Sequence, residues 1–175
     1  GSTATISGNG PNCIDRPTVE TSCATHCLEG GITFTSQAQI DAFPVMYPGC
    51  SNIRGNVTID EVLAGNITNL NGLSQITDID GFLYISNNEA LTALSGLSGL
   101  TTLGGELYIY SNAMLPNLSG LNQLSSIEGR LYIGFNAAMI NLSGLNGLTS
   151  VGEHVNIQYN HSLIDLNGLN NLSSI

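Results

Sequence analysis

From residue 81 the hydrophobic positions recur with a period of 24 residues, in the copies GFLYISNNEALTALSGLSGLTTLG, GELYIYSNAMLPNLSGLNQLSSIE, GRLYIGFNAAMINLSGLNGLTSVG and EHVNIQYNHSLIDLNGLNNLSSI. Three registers keep this period. They are the apolar pairs Leu83/Ile85, Leu107/Ile109, Leu131/Ile133 and Val155/Ile157, the asparagines Asn88, Asn112, Asn136 and Asn160, and the leucines Leu94, Leu118, Leu142 and Leu166. An earlier, irregular copy has its pair at Val57/Ile59 and rejoins the register at Leu70 with two extra residues between them. Each copy opens with period-two alternation, which predicts a short strand, and then changes to an apolar residue every third position, as in Leu118, Leu121, Leu124 and Ile127. An α-helix does not explain the second half. Apolar residues three apart drift about 60° per step around a 3.6-residue helix, and Gly96, Gly120, Gly144 and Gly168 weaken it further. The pattern predicts a solenoid, in which each coil supplies one strand and then turns that point their leucines at a shared axis.

Stacking such coils pairs each strand with its copy one period later, about 4.8 Å away, and builds a parallel sheet along one side. Each asparagine of the column then lies against its copy, where a buried amide satisfies backbone groups of its own and neighbouring coils. Asn88, Asn112, Asn136 and Asn160 are therefore expected to form a structural ladder. The first 50 residues lack the period and hold four of the five prolines and all four cysteines, Cys13, Cys23, Cys27 and Cys50. Residues 1–50 read as an N-terminal segment and cysteine-bearing cap. Residues 51–175 read as the solenoid, with an irregular first coil at 51–80, regular coils at 81–104, 105–128 and 129–152, and an incomplete one at 153–175. Within the cap, Ser36 followed by Gln39 fits a capping box, with Ile40 and Phe43 laying a short helix across the first coil. Such a cap covers the strand edge and apolar side chains that a solenoid end exposes.

Composition narrows the function. The 175 residues include three arginines, Arg16, Arg54 and Arg130, no lysine and 13 acidic residues, a net charge of −10. No basic patch exists to neutralise a run of phosphates, which argues against nucleic-acid binding and against anionic lipid surfaces. No apolar stretch reaches the length of a transmembrane helix. A hydrophobic fraction of 42% argues against disorder. An even number of cysteines confined to one end reads as a disulfide-stapled cap and an oxidising, extracellular or cell-surface location.

The string GxLxIxxNxxLxxLxGLxxLxxI, preceded by a cysteine-bearing cap and CSNIRGNVTI, resembles the receptor L domain. That leucine-rich-repeat-like β-helix occurs in the extracellular regions of insulin and epidermal growth factor receptors and in fungal cell-wall proteins. With NLSGLNGLTSVG and the introductory ITFTSQAQIDAF, the copies look most similar to secreted cell-surface proteins of Bacteroidota that carry such repeats. The expected fold is mainly β, a right-handed leucine-rich-repeat-like solenoid of 24-residue coils with a parallel sheet on one side and a disulfide-stapled N-terminal cap. The resemblance covers about residues 30 to 175 and is specific for architecture, while the family's partners vary widely. A Cys-rich module after the repeats and a sorting domain of the type IX secretion kind, both departures from the pattern, are absent from this sequence.

The outward strand positions carry the individual residues. Counting from the apolar pairs, the central outward column is Thr58, Tyr84, Tyr108, Tyr132 and Asn156, with Phe82, Tyr110, Phe135 and Tyr159 around it. Seven of the ten aromatics should share one face. Cross-strand packing accounts for such a column at roughly 0.2–1 kcal/mol per pair, and an exposed aromatic patch also marks a contact surface. Glu106 and Arg130 should pair across neighbouring strands. The segment Cys23-Ala-Thr-His26-Cys27 fits neither the usual zinc spacing nor haem attachment, so two disulfides are expected and no metal. Asp78 and Asp80 lack the ligand run of a calcium loop and read as a turn. His154 and His161 have no nucleophile in context, no carboxylate sits in an unusual apolar setting, and no catalytic residue or cofactor is expected. Sequons occur at Asn56, Asn66, Asn117, Asn141, Asn160 and Asn171. On the ladder, Asn160 leaves no room for a glycan. The expected function is a non-enzymatic secreted or cell-surface recognition and adhesion module that binds glycan or protein through the aromatic strand face. The alternative is a structural subunit stacking end to end into an extracellular filament or surface layer, a reading drawn from the unfinished last coil.

Overall fold

The computed structural model describes residues 26–175, and Cys13, Cys23 and Arg16 lie outside the described residues. Among the described residues the strands are β1 (His26–Cys27), β2 (Ile32–Phe34), β3 (Asn52–Ile53), β4 (Val57–Asp60), β5 (Asp78–Ile79), β6 (Leu83–Ser86), β7 (Thr102–Leu103), β8 (Leu107–Tyr110), β9 (Ser126–Ile127), β10 (Leu131–Gly134), β11 (Ser150–Val151) and β12 (Val155–Gln158), with an α-helix, α1 (Gln37–Met46). The even-numbered strands form a broad six-stranded parallel sheet and the odd-numbered ones a second, narrow six-stranded parallel sheet. The solenoid expected from the 24-residue period is the observed architecture. Its register is the sequence register, with Leu83, Leu107, Leu131 and Val155 in line across β6, β8, β10 and β12. The period reading gave one sheet; the narrow sheet adds a second side, because each of its strands is two residues long and too short to display an alternation. Strand pairing also runs into the N-terminal segment, where β1 pairs with β3 and β2 with β4.

The period-three leucines have a backbone cause. In each coil a leucine N–H donates to the carbonyl three residues earlier, as in Leu121 to Leu118, Leu124 to Leu121, Leu145 to Leu142 and Leu148 to Leu145. Successive tight turns of this kind advance three residues at a time, so every third side chain points the same way, and two of them form short 3₁₀ helices at Asn71–Leu73 and Ser95–Leu97. One coil thus buries Leu107, Ile109, Leu115, Leu118, Leu121, Leu124 and Ile127, all at 1% exposure or less. Each contributes roughly 1.5–3 kcal/mol of gross transfer free energy.

Two polar columns stitch the coils together. In the first, the backbone N–H and Nδ2 of Asn112 both donate to Asn136 Oδ1, at 3.0 and 3.3 Å, while Nδ2 also reaches the Ile85 carbonyl of the preceding coil at 2.9 Å. Asn136 repeats this toward Asn160, and Asn88 toward Asn112. The second column escaped the sequence reading. The hydroxyls of Thr77, Thr101, Ser125, Thr149 and Ser173 each donate to the carbonyl of the residue one coil before, Ser51, Thr77, Thr101, Ser125 and Thr149. Its signal was present as a Ser or Thr at every copy of one position.

The glycines of the turns serve close approach. A Cβ on Gly96, Gly120, Gly144 or Gly168 would stand 1.7–2.1 Å from the carbonyl oxygen of Leu70, Leu94, Leu118 or Leu142 in the preceding coil. At the N-terminal end α1 buries Ile40 and Phe43, and Phe43 meets Phe34 edge-on at 5.6 Å. The capping box does not form. Ser36 makes no side-chain cap, and Gln39 Oε1 instead accepts the Thr35 N–H at 2.6 Å, one residue earlier than the motif requires. Cys27 and Cys50 form a disulfide that ties β1 to the turn before β3.

Glu61 is a buried carboxylate that the sequence reading did not single out, and its setting is polar, built from backbone N–H groups. It is 8% exposed in the loop made by the two extra residues. Its oxygens accept the backbone N–H groups of Gly65, Glu89 and Ile67, each at 2.8 Å. Burial pushes the carboxyl up, but the hydrogen bonds from Ile67, Glu89, Gly65 and Asn66 outweigh it, so the group titrates below its ordinary value. A lowered pKa gives stability that is present above the unfolded value and lost as pH falls through the folded one. Wild type is expected to lose more stability than Glu61→Gln on acidification below about pH 4.5, measured by urea unfolding across pH. Gly144→Ala is expected to cost about 3 kcal/mol or more, from the steric clash and a φ of +117°, whereas Gly30→Ala, with nothing within 4 Å, should unfold within about 1 kcal/mol of wild type.

Candidate functional site

The broad sheet positions every outward residue by its register. Thr58, Tyr84, Tyr108, Tyr132 and Asn156 stand in one row across β4, β6, β8, β10 and β12. On the strand-entry side lie Phe82, Glu106, Arg130 and His154; on the exit side Asp60, Ser86, Tyr110, Gly134 and Gln158. All seven candidate rings join one continuous network. Phe82 stacks on Tyr84 at 4.0 Å, Tyr84 meets Tyr108 at 5.0 Å, and Tyr108 stacks on Tyr132 at 4.5 Å. Tyr110 bridges from Tyr108, at 5.6 Å, to Phe135, at 5.1 Å, and Phe135 meets Tyr159 at 4.6 Å. The other three aromatics, Phe34, Phe43 and Tyr47, pack together under the cap.

The geometry changes what this face offers. Tyr108 and Tyr132 lie 13° from parallel and Tyr84 is tilted by 41° against Tyr108, so the rings of the central row cover the faces they turn toward one another. Gly134 supports this arrangement, since a Cβ there would stand 2.8 Å from the Tyr132 ring. The hydroxyls are anchored as well. Tyr84 donates to Glu106 Oε2 at 3.2 Å, and Tyr132 accepts from Gln158 Nε2 at 2.8 Å. The expected Glu106–Arg130 pair forms, and Arg130 also stands 3.7 Å from Glu153. Burial, followed by the charge of Glu106, raises the Tyr84 phenol above its ordinary range, and burial among Tyr132, Tyr110 and Tyr84 does the same for Tyr108.

The exit edge carries a feature invisible to pattern reading. Asn87, Ser111, Phe135 and Tyr159, one per coil, all have left-handed backbone with φ of 55–59°. Asparagine tolerates this region, whereas a bulky aromatic there is strained by about 1–3 kcal/mol. Phe135 and Tyr159 are nevertheless 43% and 55% exposed, so burial does not offset that strain.

The remaining candidates are placed elsewhere. Asn88, Asn112, Asn136 and Asn160 are buried in the ladder, and Asn160 gives its Nδ2 to the Ile133 carbonyl at 3.0 Å, which leaves that sequon no accessible amide. Asn117 and Asn141 form turns that accept the N–H of Ser119 and Ser143, and Asn66 accepts the N–H of Gln37. Asp78 accepts the hydroxyls of Thr77, Thr101 and Thr102 on the narrow sheet, and Asp80 is exposed at its corner. Cys27 is committed to its disulfide, and among the described residues no cluster of three His, Cys, Asp or Glu side chains is arranged to hold a metal ion. His154 and His161 are exposed, His154 just before β12 and His161 just after Asn160.

Because a raised phenol pKa gives stability that is complete below the ordinary tyrosine range and lost as pH rises through the folded value, the face should loosen only above about pH 10. An absorbance titration of phenolate formation is expected to show a late-ionising class that disappears in Tyr84→Phe/Tyr108→Phe. A single ordinary transition in wild type would contradict the packed row.

The sequence profile of the receptor L domain family matches residues 49–139, which span β3 to β10 and six of the seven rings. Comparisons with curated proteins and with solved structures return no match. The matched segment covers more than half of the chain and falls on the stacked coils from β3 to β10, and on that ground the chain belongs to the receptor L domain family.

Proposed function

We propose that this chain is a recognition module that binds a protein partner through the outer face of its broad sheet. Receptor L domains are ligand-binding extracellular modules, and the Cys27–Cys50 disulfide suits an oxidising compartment. The observation that carries the protein reading is the continuous seven-ring network, with Glu106, Arg130 and Glu153 confined to its entry side. Aromatic enrichment with a charge-depleted centre and a polar edge is the composition of protein interfaces. A sugar-binding platform needs free ring faces, and the central tyrosines spend theirs on one another. The glycan reading therefore has less support than the protein one.

The test pairs selection from a displayed peptide library with a glycan array, on wild type and on Tyr84→Ser/Tyr108→Ser. Lost cross-strand pairs cost about 0.2–1 kcal/mol each, so the variant should stay folded by circular dichroism. Peptides selected on wild type are expected to bind the variant at least about tenfold more weakly, a loss of about 1.4 kcal/mol. Peptide binding unchanged by the substitutions, or glycan binding alone, would overturn the proposal.

A further inference from the structure

The rings of the exit edge stand apart from the central row. Where earlier coils place Asn87 and Ser111 at the left-handed position, later coils place Phe135 and Tyr159, exposed and in contact with one another and with Tyr110. Other exposed apolar side chains gather on the same exit turns. Met114 follows Asn112, and Ile140 follows Asn136 in the next coil, where its N–H bonds the Pro116 carbonyl. The carboxylates on this side of the molecule are Asp60 and Glu89 at the exit side of the earlier coils and Glu106, Glu128 and Glu153 at the entry side. Of the arginines among the described residues, Arg130 is held by Glu106 and Glu153, and Arg54 lies at the corner after β3.

We propose that the exit edge formed by Phe135 and Tyr159 is the anchoring part of the docking surface, and that it takes a cationic protein segment presenting apolar side chains between lysines or arginines. This deepens the recognition reading above and rests on it. Aromatic side chains at a strained and exposed backbone position gain little for the fold that asparagine would not supply, and strain of this kind concentrates at contact sites. Charge selects the occupant. A chain of net charge −10 attracts a basic segment and repels a second copy of itself on the same face. The partner's lysines or arginines would meet Glu153 and the carboxylates of the earlier coils while its apolar groups meet the rings.

The experiment uses peptides from the displayed library selected on wild type, their binding measured at low and high salt against wild type, Phe135→Asn/Tyr159→Asn and Tyr84→Ser/Tyr108→Ser, with thermal unfolding of each protein. Asparagine already occupies this position at Asn87, so the edge variant should fold. Selected peptides are expected to be enriched in Lys and Arg beside aliphatic residues and to weaken at least about tenfold between about 0.05 and 0.5 M salt. Binding should fall at least about tenfold in Phe135→Asn/Tyr159→Asn while its Tm is unchanged or higher. Acidic or neutral peptides with no salt dependence would overturn the cationic partner. Full binding by the edge variant together with loss in Tyr84→Ser/Tyr108→Ser would overturn this inference alone, and full binding by both would overturn it along with the recognition reading. A clear drop in Tm of the edge variant with binding intact would assign the two rings to packing and overturn the proposal.

Discussion

Backbone pairing between successive coils is the constraint on which the rest depends. Once β6, β8, β10 and β12 pair in register, each residue lies about 4.8 Å from its copy one coil away, and whatever occupies a position must tolerate itself as a neighbour. Leucine does so by packing along the axis. Asparagine and Ser or Thr do so because each can donate to a group on one coil and accept from another or leave its oxygen to solvent. Acidic or basic residues would repeat like charge at this spacing, which accounts for a chain with only 16 charged residues. On the broad sheet Glu106 and Arg130 are neighbours of opposite sign.

The same constraint shapes the face assigned to recognition. Tyrosines repeated at one position must stack on each other, and their ring faces are then consumed by the fold. The row becomes a stiff ridge, braced by Glu106 and Gln158. Residues free to act as anchors are those at the edge, where the coil leaves the sheet and side chains are no longer confined between neighbouring strands. Phe135 and Tyr159 occupy that place at the expense of backbone strain. On the proposed reading, the rigid row and the exposed edge form one contact surface anchored at the edge.

Much of this was legible in the residues because a 24-residue repeat converts tertiary neighbours into sequence intervals. The ladder of Asn88, Asn112, Asn136 and Asn160, the inward pairs and the row of Tyr84, Tyr108 and Tyr132 could all be read from spacing alone. The Ser and Thr column at positions 77, 101, 125, 149 and 173 was equally periodic but passed as ordinary turn composition. Where the period breaks, so did the reading. Glu61 lies in the two-residue insertion, and its role depends on N–H groups of Gly65, Ile67 and the next coil's Glu89. Ser36 and Gln39 matched a local motif, yet Thr35 takes the bond because the strand before α1 sets where the chain enters the helix.

The sequence by itself determined the coil length, the residues of the core, the polar ladder and the side of the solenoid that carries the aromatic rings. All of these follow from which positions repeat, and repetition is a property of the chain. Only the tertiary structure decided that the tyrosines face one another, that a second sheet of two-residue strands closes the coil, and that Phe135 and Tyr159 stand on left-handed backbone at an exposed edge. Ring orientation, corner geometry and φ are set by distances between neighbouring coils, and a pattern of residue types carries no distances.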